Sequence, residues 1–269
     1  MPNYFAHLVF GAKVLKELPE EMAGSFRRDR AAFNLGCLGP DPLFFYHPAL
    51  PNQCRREGMR MHKRSALPVF RRLAHAVGEG VPQADSYAAG FICHFALDAA
   101  CHTFIDKLVN AGKVAHLALE AELDRRLIER RGLLSAGQIY MPPITEEAVY
   151  LAASSAYLCA GPREIRKGYA AMRRDSLVFA KCYGTRGGWL ADKVMGAIPA
   201  CRELAGVILG PAPAPGSEAH SRHILKLLET EVEGAAGHIQ DFFTAGVAHG
   251  QFATWFQRDF SGRLTLDPA

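Results

Sequence analysis

An all-α fold is what this sequence predicts, and three observations carry the prediction. Apolar residues recur every three or four positions along most of the chain, the spacing that lines one face of a helix. Stretches of strict alternation, which would mark half-buried strands, are nearly absent. Glycine and proline fall where the periodic segments stop. With 269 residues, 49% of them hydrophobic and 22% charged, the chain has the balance of a folded globular protein with one sizeable core or two modest ones.

The first helix follows "NYFAHLVFGAKVLKEL" and stops at Pro19. The second runs through "SFRRDRAAFNLGCL" to Gly39-Pro40, where the missing N–H and fixed φ of proline end a helix. A loop of aromatic and basic character, "DPLFFYHPALPNQCRREGMRMH", leads to a third helix over about 63–77, in which Pro68 either delays the start or makes a kink. The fourth, about 86–110, begins behind Asp85 or Ser86 as N-cap and is apolar on nearly all sides, as suits the centre of a bundle. The fifth, about 113–131, turns charged towards its end and stops at Gly132. Four more are expected at about 145–159, 162–182, 189–209 and 218–247, with "GPAPAPG" (Gly210 to Gly216) as a proline-stiffened linker. The expected organisation is a multi-helix domain over 1–210 and a C-terminal helical extension over 217–269 whose apolar stripe packs onto the bundle.

Lys and Arg exceed Asp and Glu by 31 − 27 = 4, a mild excess that suits anionic partners but not a dedicated nucleic-acid coat, so no stable nucleic-acid partner is expected. The chain opens without a secretory signal pattern, and no uninterrupted apolar run of transmembrane length stands out. The seven cysteines are scattered without a C-x-x-C pair, which fits free thiols in a reducing compartment. These features together predict a cytoplasmic protein.

One stretch does not fit a plain core helix. "CHFALDAACHTFIDKLVNAGKVAHLALEAELD", from Cys93 to Asp124, sets three histidines and several carboxylates inside buried-helix periodicity. His94, Asp98 and His102 stand at i, i+4 and i+8, along one helix face; His116 and Glu120 repeat the i, i+4 spacing on the next helix. Two antiparallel helices facing each other with these rows would gather five ligands of the kind Zn²⁺ takes, neutral imidazole and carboxylate oxygen. A single such residue is more simply a core histidine or a solvated acid; five in register point to metal.

In this arrangement the sequence resembles the zinc-dependent phospholipase C family and, more distantly, the single-strand-specific zinc nucleases that share its all-helical fold. The resemblance runs over about residues 2–130 and rests on "HLVFG" at His7, "GPD" at Asp41, "MH" at His62, "HFALD" at His94 and Asp98, His102, and "HLALE" at His116 and Glu120. It implies two or three zinc ions per chain. His62, His94 and Asp98 would hold one, with Asp41 beside it as ligand or as base for the attacking water. His102, His116 and Glu120 would hold the second. Asp98 would bridge to a third, completed by His7 and by Pro2 through the mature N-terminus. The secreted members begin with a processed tryptophan where this chain has Met-Pro, and Pro42 stands where the choline-binding lipases carry an aromatic residue.

The implied activity is phosphodiester hydrolysis of the phospholipase C type, on a phosphate ester such as a phospholipid, with peripheral membrane contact. A nuclease or phosphatase acting on another phosphate ester is the alternative among enzymes, and a metal-binding helical scaffold without turnover is the alternative outside them. Arg55 and Arg56, with other basic residues near His62, would steer a phosphate. Phe44, Phe45 and Tyr46 would line the pocket mouth.

Overall fold

The computed structural model describes residues 4–48, 50–112, 116–132, 138–198, 207–208, 210 and 217–265. The described helices are α1 (Tyr4–Glu17), α2 (Glu20–Arg28), α3 (Arg30–Cys37), α4 (Gln53–Met61), α5 (Leu67–Gly78), α6 (Ala84–Asn110), α7 (His116–Glu129), α8 (Glu147–Ser154), α9 (Pro162–Cys182), α10 (Arg186–Ala197) and α11 (Ser217–Asp241). A 3₁₀ turn covers Asp41–Phe45, a π turn Phe242–Val247 and a second 3₁₀ turn Thr254–Gln257. Among the described residues there is no strand, only an isolated bridge between Arg258 and Leu264. The fold is all-α, as the sequence predicts.

The boundaries differ from expectation in places that have local causes. The expected second helix is two, because Asp29 leaves the helical region at φ −96°, ψ 42°. The aromatic and basic loop contains α4, started by Asn52, whose side chain accepts from the Arg55 N–H. Its buried face is Cys54, Glu57, Gly58 and Met61, too short and too polar a stripe to show as apolar periodicity. Pro68 lies in the first turn of α5 and delays the start without a kink. Helix α6 begins at Ala84, so Asp85 is a first-turn residue and not the cap. Helix α8 ends at Ser154, short of the expected 159, since the Glu57 carboxylate takes the N–H groups of Leu158 and Cys159 at 2.5 and 2.8 Å. Pro2, most of the expected linker (211–216) and the expected continuation of α10 over 199–206 lie outside the described residues.

The described chain falls into two compact units. The smaller comprises Met1–Ala6, Thr103–Pro142 and Met172–Leu227; the larger comprises His7–His102, Pro143–Ala171 and Leu228–Ala269.

In the smaller unit, the Asp124 carboxylate accepts the N–H groups of Phe5 and Ala6 at 3.1 and 2.8 Å and so caps the first turn of α1 from α7. Burial holds Asp124 well above the usual carboxylate range despite these two bonds. His220 and His223 of α11 lie against the Phe104 ring.

In the larger unit, the core is an aromatic cluster. Phe70 of α5 meets Phe91 and Phe95 of α6, Phe242 and Phe256, with ring centroids 4.9 to 6.3 Å apart. Each of these rings is at most 1% exposed, and burial of such a side chain stabilises by about 1.5–3 kcal/mol. Helices α3 and α6 cross in backbone contact at Gly36 and Gly90: a Cβ on Gly36 would overlap the Tyr87 carbonyl oxygen, and one on Gly90 the Phe33 carbonyl oxygen. That crossing brings the end of α3 against the part of α6 that carries His94. By length and composition α6 could cross a membrane, but 72% of its most apolar window is buried in the fold.

Candidate metal centre

The site in the larger unit is built on α6. His94 and Asp98 are one turn apart, and His94 Nε2 lies 3.3 Å from Asp98 Oδ2. His94 Nδ1 lies 3.2 Å from the Cys37 carbonyl at the end of α3. A carbonyl only accepts, so Nδ1 carries a proton and Nε2 is the nitrogen turned to the site, open to a metal once it is deprotonated. His62 repeats the device as the C-cap residue of α4: its Nδ1 donates to the Gly58 carbonyl at 2.8 Å, and its Nε2 faces Asp98 Oδ2 at 3.8 Å and Asp41 Oδ1 at 3.9 Å. Backbone partners of this kind fix the tautomer of a metal-ligating histidine.

Asp41 is placed by a tight turn after α3. Gly39 N–H bonds to Gly36 C=O at 2.7 Å and Asp41 N–H to Leu38 C=O at 3.1 Å. Gly39 has φ +52°, and a Cβ there would overlap the His94 ring, so glycine is required on both counts. Behind the turn, Tyr157 O–H donates to the Gly39 carbonyl at 2.8 Å, which leaves the Tyr87 hydroxyl, 2.9 Å away, to donate to Tyr157. Gly39→Ala is expected to cost about 2–4 kcal/mol, from the left-handed backbone plus displacement of the packed imidazole. Its melting temperature and its zinc content are both expected to fall; an unchanged zinc content would detach this turn from the metal centre.

The resulting pocket has buried polar atoms without hydrogen-bond partners. Asp41 is 0% exposed, and both its oxygens lack a hydrogen-bond partner. His7 of α1 is 1% exposed, stacks on His94 with centroids 4.3 Å apart, and has no hydrogen-bond partner at either nitrogen. Its Nε2 is 3.3 Å from Asp98 Oδ1, off the line of a hydrogen bond. His102 Nε2 approaches the same oxygen at 3.5 Å. Asp98 therefore presents Oδ1 to His7 and His102 and Oδ2 to His94 and His62. Ligand atoms about 2.0–2.1 Å from one tetrahedral zinc are about 3.3–3.4 Å from each other. The separations around Asp98 fall close to that value. Potential ligand atoms of His7, Asp41 and His94 lie within 4.8 Å of one another, as do those of His62, His94 and Asp98. A buried carboxylate without a hydrogen-bond donor beside imidazole nitrogens turned to the same space fits a divalent cation.

The charges agree. Burial opposes a proton on His94, but Asp98 and Asp41 outweigh it and push its pKa up to about 9. Burial would raise Asp98, yet the facing His94 and His102 hold it well below the ordinary carboxylate range. His62 is pushed down by burial, against the pull of Asp98 and Asp41. The His94–Asp98 pair thus stabilises the metal-free protein fully between the ordinary carboxyl and imidazole values of 3.8 and 6.5, and this contribution is lost as pH rises through about 9 or falls far enough to protonate Asp98. Zinc needs the neutral ring, so its apparent affinity is expected to rise by up to about tenfold per pH unit between 6.5 and about 9. Chelator-buffered zinc titrations across that range check this, and a flat profile would remove His94 from the ligands.

Of the other sequence-predicted residues, His116 and Glu120 are paired in the smaller unit, Nε2 to Oε1 at 2.9 Å. Phe44 lies against His62 with ring centroids 5.3 Å apart. Phe45 and Tyr46 are half-buried in the same segment. Arg55 and Arg56 are exposed, and the Arg55 guanidinium donates to the Pro48 carbonyl at 2.9 Å. Sequence reasoning missed Tyr157, which supports the Asp41 turn, and Phe260, which packs on His62 and His94. It also passed over Asp124, although that residue extends the His116 and Glu120 row to i+8 and is 3% exposed.

The model of the family described as zinc-dependent phospholipase C matches residues 6–171, a span that contains all eight candidate ligands from His7 to Glu120. No curated protein and no solved structure matches the chain. Since the match covers more than half of its length, the chain belongs to the zinc-dependent phospholipase C family.

Proposed function

We propose that the protein is a metal-dependent phosphoric ester hydrolase that cleaves a phosphodiester in the manner of a phospholipase C, with two or three zinc ions per chain. The observation that carries this reading is the Asp41 carboxylate, fully buried with both oxygens unpaired beside a cluster of imidazoles. A carboxylate buried away from any hydrogen-bond donor costs several kcal/mol unless positive charge offsets it, and in this reading a metal cation supplies that charge. Zinc bound in such a site supplies positive charge to phosphate oxygens and lowers the pKa of a water towards ~7.

The chain's own residues do the rest. Asp41 is the group able to take the proton of the attacking water, as its oxygens are engaged with no other donor. Asp98, with an oxygen for each side, is suited to bridge two cations. His102 in the larger unit, and His116, Glu120 and the N-terminal amine of Pro2 in the smaller one, are the further proposed zinc ligands. Phe44 and the exposed Arg56 are the proposed contacts to the ester and its phosphate.

A phospholipid substrate is favoured by helix α10, where Trp189, Leu190 and Val194 are each more than half exposed and Lys193 lies over the Trp189 ring at 6.0 Å. Exposed tryptophan beside lysine is the pattern of a helix that rests on a bilayer surface. Trp189→Ala is expected to weaken sedimentation with anionic phospholipid vesicles several-fold and to leave hydrolysis of a short-chain soluble ester unchanged. Equal vesicle binding would remove this face from the reading. The described cysteines are free thiols, in keeping with a cytoplasmic setting.

The deciding experiment combines metal analysis of protein purified without chelator with a screen of phospholipids, soluble phosphodiesters, phosphomonoesters and oligonucleotides. Zinc at two or more per chain with phosphodiester cleavage is expected. Turnover of oligonucleotides or monoesters alone would move the assignment to a nuclease or phosphatase. Zinc without turnover of any ester would leave a metal-binding scaffold, and protein that neither holds nor takes up zinc would end the metal reading.

A further inference from the structure

We propose that Phe260, in the C-terminal segment beyond the family-matched residues, is a positioning residue of the metal centre that holds the His62 and His94 rings with their Nε2 atoms towards Asp98. The inference rests on the reading of this site as a zinc centre. It concerns a part of the chain that holds none of the candidate ligands.

The ring of Phe260 is 1% exposed and touches two candidate ligands at once. Its centroid lies 4.7 Å from that of His62 at an interplanar angle of 37°, and 5.8 Å from that of His94 at 58°. On its other sides are Phe95 at 5.0 Å and Phe91 at 6.2 Å, both at nearly right angles. His62 depends most on this contact. It sits at the end of α4 with its side chain 18% exposed, and one hydrogen bond, to Gly58, fixes one ring edge. A single bond leaves the ring free to swing about the axis of that bond. Phe44 and Phe260 are the two aromatic residues besides His94 that lie against it, and together they restrict that swing.

The segment that carries Phe260 is itself tied down. Asp259, 4% exposed, accepts the N–H groups of Ser261 and Arg263 at 2.9 and 3.0 Å through Oδ1, and its own N–H donates to the Arg263 carbonyl at 2.8 Å. This closes a tight turn around Phe260. The Arg258 carbonyl accepts the Ala66 N–H at 2.9 Å, which anchors the turn four residues after His62. At Gly262 the backbone passes so close to the Ala99 carbonyl, next to Asp98, that a side chain would clash. A rigid aromatic plane on two imidazoles also excludes water from one wall of the site. Ligand precision of this kind is what separates tight metal sites from loose ones.

The test compares Phe260→Leu with Phe256→Leu in the full chain. Phe256 is equally buried, and its ring neighbours are Phe70, Phe242, Phe252, Trp255 and His238, none of them a candidate ligand. Thermal melts of the metal-free proteins and zinc affinity by competition with a chromophoric chelator are read for both. Similar losses in melting temperature are expected, with zinc affinity reduced about tenfold or more in Phe260→Leu alone. If Phe260→Leu does not fold, Phe260→Met, which fills the volume without a ring face, takes its place in the comparison. Wild-type zinc affinity in the Phe260 variant, or equal weakening in the Phe256 variant, would overturn the proposal. A wild type that takes up no zinc would instead overturn the metal reading beneath it.

Discussion

Asp98→Asn is expected to lose at least about 100-fold in zinc affinity and to hold fewer ions per chain, the largest effect of any single ligand change. The reason is that one carboxylate serves four imidazoles: His94 and His62 on Oδ2, His7 and His102 on Oδ1. Asparagine keeps one acceptor and turns the other position into a donor, which repels a cation and faces lone pairs that are needed elsewhere. The metal-free protein suffers as well. Removing one member of a buried ion pair costs about 3–5 kcal/mol, and His94 then keeps Asp41 and the Cys37 carbonyl to hold its proton. His116→Ala provides the contrast, since that side chain is one-third exposed and pairs with Glu120 at 2.9 Å. Elemental analysis after gel filtration and zinc titration of both variants check the order. Equal losses for the two would mean that Asp98 is not shared between ions.

What could be read in the sequence was what depends on spacing along one element. His94, Asp98 and His102 are a helical row, and no tertiary knowledge is needed to see that they share a face. The all-α class followed for the same reason, because period and breakers are local properties. The order of the candidate ligands from His7 to Glu120 was legible only through resemblance to a family, since nothing local joins Asp41 to His94. That junction depends on the Gly36 and Gly90 crossing and on the positive φ of Gly39. Glycines announce a turn in sequence but not which helix it will meet. Helix α4 escaped notice because its buried face includes Glu57, whose partners are N–H groups a hundred residues away. Phe260 carries no polar signal at all. Such an aromatic residue reads as ordinary core until the rings it touches prove to be histidines turned towards Asp98.

For Asp41 the expected outcome is a division between stability and chemistry. Asp41→Asn has nearly the same shape, so the turn from Gly39 and its bonds to Gly36 and Leu38 can form as before. In the wild type this carboxylate is buried without a hydrogen-bond donor and relies on nearby imidazoles at 3.9 Å or more, or on a metal, for compensation. Neutralising it removes a desolvation cost that amounts to several kcal/mol when no metal is present. The metal-free variant is therefore expected to melt no lower than the metal-free wild type. Zinc is expected to raise its melting temperature less than that of the wild type, because one ligand or close counter-charge is gone. Turnover is expected to fall by about 10²-fold or more, the scale of a lost general base. The two effects separate the roles. A variant that melts well below wild type without metal would make Asp41 a structural residue of the turn. A variant with full zinc stabilisation and wild-type turnover would remove it from both the ligand set and the proton path.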